Sequence, residues 1–286
     1  MSDEMIMGFD AIAVGTDIKD VKVDPRLRVR CDTGLTWLNL VCSGPDAPAG
    51  QRGFVPSEVI LFTGGPGCGK STMGLSIADS MTSKGHTVLF VGGEESKEQT
   101  AMTFERLGLK HGFTICNPVF IEKPDGLSKE ESKEVGKNTL DNHLAALMKR
   151  YVAAAPKLAK GEQRQTCPVV VIDSLQTLNC GKWGFNTNSK TPKRVLRWLC
   201  KWAKENFAIV IVIGQVGKNG DFKGDNALRH MVDGHLELAL DDDDKSPTCG
   251  CRLLTFSKHR FGPAGITAVL DLGKRGFVEH GRTYHT

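Results

Sequence analysis

The sequence predicts an α/β fold, a mainly parallel twisted sheet with helices on both faces and antiparallel strands at its C-terminal end. Three observations carry that reading. Continuous Val/Ile runs, such as Val169-Val170-Val171-Ile172 and Ile209-Val210-Ile211-Val212-Ile213, alternate with stretches of helical period. The residues Gly64-Gly65-Pro66-Gly67-Cys68-Gly69-Lys70-Ser71-Thr72 fill the pattern G-x-x-x-x-G-K-S/T between the apolar run Val59-Ile60-Leu61-Phe62 and an amphipathic stretch from Met73 to Met81. The last strands follow one another with no helical stretch between them.

Taken in order, residues 1–30 have no clear period and read as an N-terminal arm, with 31–286 as the core. Arg30 to Asn39 reads as a turn into a short helix, and the Pro/Gly-rich stretch around 44–53 as a loop. Strands are expected at 57–62, 87–92, 117–121, 168–173, 208–213, 234–240, 252–257 and 266–271, the last three as antiparallel hairpins. Helices are expected at 71–84, 96–109, 129–156 and 191–206. The Lys, Glu and Ala of 129–160 suit a solvated helix face, and Asp241-Asp242-Asp243-Asp244 a solvated turn.

At 286 residues the chain suits one large domain with small extensions. Its 40% hydrophobic and 24% charged residues are ordinary for a soluble protein. A net charge of +4 permits a nucleic-acid partner without arguing for one. No apolar run approaches the ~20 residues of a membrane helix, and Met1-Ser2-Asp3-Glu4 lacks the layout of a signal peptide. A cytoplasmic protein with no membrane partner is therefore expected. The nine cysteines, several in apolar segments, read as buried reduced thiols. There is no C-x-x-C, only Cys249-Gly250-Cys251, so no zinc site of the usual spacing is expected.

The glycine pattern has a direct chemical meaning. Residues Gly64 to Thr72 can curl backbone N–H groups around phosphate oxygens, and the following helix aims its positive end at them. Lys70 can reach the β- and γ-phosphates of ATP, and the Ser71 hydroxyl can hold Mg²⁺. Asp173 ends a buried apolar strand, where a carboxylate can hold the same Mg²⁺. Thr87 to Val91 is another strand ending in acids; Glu94 is the candidate for orienting the attacking water and Glu95 for capping the next helix. Gln215 ends a third strand, where it could bond the γ-phosphate or merely satisfy the loop backbone.

Together these pieces resemble the RecA-like P-loop NTPase fold, and the bacterial RadA/Sms family in particular. Val91-Gly92-Gly93-Glu94-Glu95-Ser96, Glu105-Arg106-Leu107-Gly108-Leu109, Val171 to Leu178 and His230-Met231-Val232-Asp233 carry the likeness. Lys258-His259-Arg260-Phe261-Gly262 is close to that family's Lys-Asn-Arg-Phe-Gly signature, with His259 in place of the asparagine and Gln215 where the family has a histidine. The resemblance runs from about Arg28 to Phe277 and implies a minimal form without the family's zinc finger or Lon-like domain. It also implies an ATP-driven motor on single-stranded DNA, related to hexameric replicative helicases and active in recombination and repair by branch migration or strand annealing. Partners implied are further copies of the chain in a hexameric ring and other recombination or replication proteins. Lys258 and Arg260, two apart on a strand, would then complete the neighbouring subunit's site, a contribution of about 10³–10⁵ in rate. A replicative-type helicase motor, and a regulatory ATPase that controls protein assembly without DNA, are the alternative functions.

Two polar loops follow the strands that end in Asp173 and Gln215. The first carries Lys182, Trp183 and Lys190, and the second Lys218, Phe222, Lys223 and Arg229. Lysines and an aromatic on a glycine-rich loop suit contact with backbone phosphates and a stacked base.

Overall fold

Strands made of continuous branched apolar residues need cover on both faces. The computed structural model describes residues 15–118, 139–155, 165–178, 191–214 and 226–284. In it those runs become β1 (Val59–Gly64), β2 (Thr87–Gly92), β4 (Pro168–Asp173) and β5 (Ile209–Ile213). Nearly every residue of the four is buried. With the short β3 (Thr114–Cys116) they pair in parallel. The sheet then continues through β6 (Gly234–Leu240), β7 (Arg252–His259), β8 (Ile266–Gly273) and β9 (Gly276–Tyr284), giving, among the described residues, nine strands in the order β3-β2-β4-β5-β1-β6-β7-β8-β9.

The period of two along each strand sorts side chains into two cores. Ile60 and Phe62 of β1 pack in one core with residues of α1 (Thr36–Ser43), α2 (Lys70–Ser83) and α3 (Lys97–Leu107). Val59 and Leu61 pack in the other with residues of α4 (Leu140–Ala153), α5 (Thr191–Asn206) and α6 (Asn226–Met231). Helices therefore cover both faces of the parallel half, as the sequence predicts. Gly74 lets α2 lie close on the sheet, since a Cβ there would come within 2.9 Å of Ile213.

Several boundaries differ from expectation. The third strand is Thr114–Cys116, before the expected 117–121, of which 119–121 lie outside the described residues. The buried Asp79 carboxylate accepts from the backbone N–H groups of Lys110, His111 and Gly112, fixing the turn that delivers this strand early. Of the expected helix 129–156, Leu140–Ala153 is helical, and 129–138 lie outside the described residues. β6 pairs in parallel with β1 as well as antiparallel with β7, because α6 lies in its connection from β5 and returns the chain to the same end. The ninth strand, Gly276–Tyr284, lay outside the expected set; its Glu, His and Arg hide the signal of an outer strand.

Candidate functional site

β1 ends at Gly64, and α2 starts six residues later at Lys70. The turn between them needs left-handed backbone at Gly67 (φ +74°) and Gly69 (φ +105°). Gly69 meets a second restriction, because a Cβ would come 2.8 Å from Phe277 Cζ and 3.0 Å from Leu272 Cδ2 on the β8–β9 hairpin. As the N-cap of α2, Gly69 supplies no capping side chain, so the first-turn N–H groups are left for a ligand. They face a cavity of about 410 Å³ lined by the loop, the start of α2, Glu94, Asp173 and Ile213. Lys70 Nζ lies across the loop and donates to the carbonyls of Gly64 and Gly65, 2.9 Å each. Cys68 is buried, and that burial pushes its thiol up.

The parallel register of β2 and β4 pairs Gly92 with Asp173, which sets the acids of both strand ends side by side. Gly93 makes the approach possible: its N–H donates to Asp173 O at 2.8 Å, and a Cβ would meet Thr177 Oγ1 at 2.0 Å. Asp173 is only 9% exposed and shares a hydrogen bond with the Ser71 side chain. Burial raises its pKa to about 6; the Ser71 bond and Lys70 oppose the rise, and Glu94 and Glu95 add to it. A desolvated carboxylate beside a hydroxyl is an oxygen donor pair suited to a cation that keeps most of its own water, as Mg²⁺ does. Glu94 lines the same cavity, and its Oε1 accepts from Ser174 Oγ at 2.5 Å. Sequence reasoning missed Ser174, although it follows Asp173 directly. Glu95 does not cap α3: Ser96 is the N-cap and forms a capping box with Gln99, so the cap lies one residue beyond the expected acid.

Lys258 and Arg260 lie elsewhere. β7 runs antiparallel to β6, so His259 is level with Gly234, and Gly234 with Ile60, at the end of the sheet away from the loop. From that level to Gly64 is four residues of strand, on the order of 13 Å. Lys258 Nζ donates to Arg229 O and Val232 O, 2.7 Å each, at the C-terminal end of α6. Burial and the charge of Arg260 lower its pKa. Arg260 pairs with Asp233 at 3.0 Å and keeps half of its side chain exposed. Both basic groups thus sit at one corner, and neither is brought to this chain's own phosphate loop.

Arg229 lies on α6, whose helical turn replaces the last part of the expected loop; hydrogen bonds to His235 and Ser257 hold the Glu237 carboxyl low, and the charge of Arg229 adds a little to this. Gln215 and the loop residues Lys182, Trp183, Lys190, Lys218, Phe222 and Lys223 lie outside the described residues. Among the described residues, no helix is long and apolar enough to cross a membrane.

With this geometry in place, known proteins provide a comparison. The family described as "AAA domain" matches residues 45–221, more than half of the chain. A DNA repair protein RadA of Brucella abortus (strain 2308) is 26% identical over 251 residues, covering 87% of this chain and 45% of that protein. RadA of Mycobacterium tuberculosis (strain ATCC 25618 / H37Rv) is 29% identical over 261 residues, covering 90% and 45%. The chain thus spans about half the length of the curated relatives it matches. A solved ATPase domain shares the fold with a TM-score of 0.61 at 18% identity, covering 89% of this chain and 92% of that one. A KaiC-like protein from the archaeon Pyrococcus horikoshii OT3 does so at 0.56 and 18%, covering 90% and 100%. The chain therefore belongs to the AAA domain family, as a RadA-like protein on the RecA-like ATPase fold.

Proposed function

We propose that this chain is an ATP-hydrolysing motor that binds single-stranded DNA and acts in recombination and repair, through branch migration or strand annealing, as a homo-oligomeric ring. The observation that supports this reading most is the division of the machinery between two ends of one sheet. The phosphate loop, Asp173 and Glu94 meet in one cavity, whereas Lys258 and Arg260 sit at the opposite end of their strands.

In this reading the loop from Gly64 to Thr72 and the first turn of α2 bind the phosphates, with Lys70 moving from the Gly64 and Gly65 carbonyls to the β- and γ-oxygens. Ser71 and Asp173 would hold Mg²⁺, which neutralises charge on the phosphates when bound. Glu94, steadied by Ser174, orients and deprotonates the attacking water, and Gln215 bonds the γ-phosphate. Lys258 and Arg260 stabilise the transition state in the neighbouring subunit's site. The lysines and aromatics of the two loops after β4 and β5, with Arg229, grip the DNA backbone. The name carried by the RadA relatives supports DNA as the partner.

The test is ATP turnover by the full chain with Mg²⁺, with and without single-stranded DNA, for the native protein and for Lys258→Ala and Arg260→Ala. The expected result is DNA-stimulated turnover that falls by about 10³-fold or more in either variant while nucleotide binding is kept. Turnover indifferent to DNA, with no shift of oligonucleotides at low salt, would favour a regulatory ATPase acting on protein partners. Turnover indifferent to both substitutions would remove the shared site.

A further inference from the structure

The antiparallel end of the sheet carries a cluster of metal-type ligands that nucleotide chemistry does not use. Cys251 Sγ, an Asp271 carboxylate oxygen and a His280 ring nitrogen lie within 4.8 Å of one another. They come from three successive segments: the residue before β7, then β8, then β9. Cys251 Sγ donates to Asp271 Oδ1 at 3.4 Å, and the other oxygen of the same carboxylate is 2.9 Å from His280 Nδ1. The backbone helps to make this arrangement. Val269 pairs with Gly281 but Leu270 with Glu279, so His280 is the extra residue of a β-bulge, left out of the ladder with its ring on Asp271.

We propose that Cys251, Asp271 and His280 form a site for a divalent transition metal of the zinc class, distinct from the Mg²⁺ site of the phosphate loop. A thiolate, an imidazole and a carboxylate are the ligand types that select zinc over magnesium or calcium. Metal–ligand bonds of 2.0–2.3 Å place tetrahedral ligand atoms roughly 3.3–3.7 Å apart. The Cys251 contact with Asp271 Oδ1 already has that spacing, whereas His280 meets the other oxygen, Oδ2, so a single-oxygen ligand requires the exposed Asp271 carboxylate to turn. Cys251 is buried while the Asp271 and His280 side chains are 57% and 50% exposed, so an ion can arrive from solvent and keep water in the open fourth position. The acidic run Asp241 to Asp244 adjoins this end of β7, with Asp241 N–H donating to Cys251 O, and its field concentrates cations there. A metal would tie β7, β8 and β9 together, bracing the hairpin that presses Phe277 and Leu272 against Gly69.

A second cluster, Cys31, His86 and Cys167, is a poorer candidate. All three residues are buried, and both ring nitrogens of His86 are engaged, Nδ1 by Cys167 N–H and Nε2 by Asp32 O. Its geometry therefore reads as a satisfied core histidine.

Cobalt(II) serves as the probe, because a thiolate ligand gives a near-ultraviolet charge-transfer band that nitrogen and oxygen ligands do not. Added to the reduced full chain without nucleotide, Co²⁺ should give that band with one equivalent, and one equivalent of Zn²⁺ should erase it and raise Tm. Cys251→Ser should abolish the band, and His280→Ala should weaken Co²⁺ binding by at least about tenfold. Cys249→Ser should leave it intact. His280 is half-exposed, so its substitution leaves the fold in place, and circular dichroism verifies this for each variant. The proposal fails if no band appears. It also fails if the band survives Cys251→Ser, if His280→Ala leaves Co²⁺ affinity unchanged, or if the band is lost in Cys167→Ser or Cys249→Ser instead.

Discussion

Asp173 is under opposing demands: its position beside Ser71 suits a cation, while burial without one disfavours its charge. The sign of the pH effect follows. The unfolded carboxyl titrates near 3.8 and the folded one near 6, so between those values the folded chain binds more protons. In EDTA, stability should therefore fall as pH rises from about 4 to about 6 and change little from this group above that range. Asp173→Asn should remove this slope and stabilise the nucleotide-free chain by about 2–3 kcal/mol at pH 7, while eliminating Mg²⁺-dependent turnover. Thermal unfolding across the pH range, native against variant, provides the measurement; equal slopes would contradict the assignment. Asp173, Ser71 and Lys70 were legible in sequence because each occupies a fixed place in a local pattern. The Ser174–Glu94 bond was not, since it joins residues 80 positions apart and depends on the register of β2 with β4.

At the scale of elements, two devices have measurable consequences. The capping box of α3 satisfies backbone groups at a helix start that is itself exposed, so Ser96→Ala should cost about 1 kcal/mol in urea unfolding without moving any catalytic group. Deeper in the fold, Glu58 stands just before β1 and accepts from His259 Nε2 at 2.7 Å and from Val55 N–H at 3.0 Å, with the Glu58 and His259 side chains fully buried. His259 also stacks on Phe256, with ring centroids 4.1 Å apart. Glu58→Ala leaves two buried groups without their acceptor and should cost about 3–5 kcal/mol, read by the same unfolding experiment. A loss under 1 kcal/mol would mean that the pair contributes little. Sequence pattern located the strong parallel strands, whose apolar runs admit few other readings. It passed over β9, an outer strand whose polar residues break the alternation, and it could not foresee that Glu58 and His259, distant in sequence, are each other's partners.

For the whole molecule, the consequential distance is the one between the phosphate loop and the Lys258–Arg260 corner. Strand order and register fix it, and the sequence pattern contained only the presence of both groups. If each site takes its loop from one subunit and its Arg260 from the next, Lys70→Ala and Arg260→Ala chains should each be inactive alone. Mixed one to one, they should regain turnover, since about a quarter of the random interfaces then join an intact loop to an intact arginine. ATPase assays of the mixture against each variant alone provide the readout, and a mixture as inactive as its components would show that the site is complete within one chain.

The separation also has a bearing on communication. A subunit that offers its loop to one neighbour and its basic corner to the other makes two unlike contacts. Word of a phosphate lost at one site reaches the subunit whose arginine touched it, and then travels along that subunit's own strands to the next loop. Events in such an assembly pass from subunit to subunit in one sense only. If the loop and Arg260 are shared between neighbours in this way, the sheet would act as a one-way relay, because the register of β1, β6 and β7 keeps the two groups at opposite strand ends.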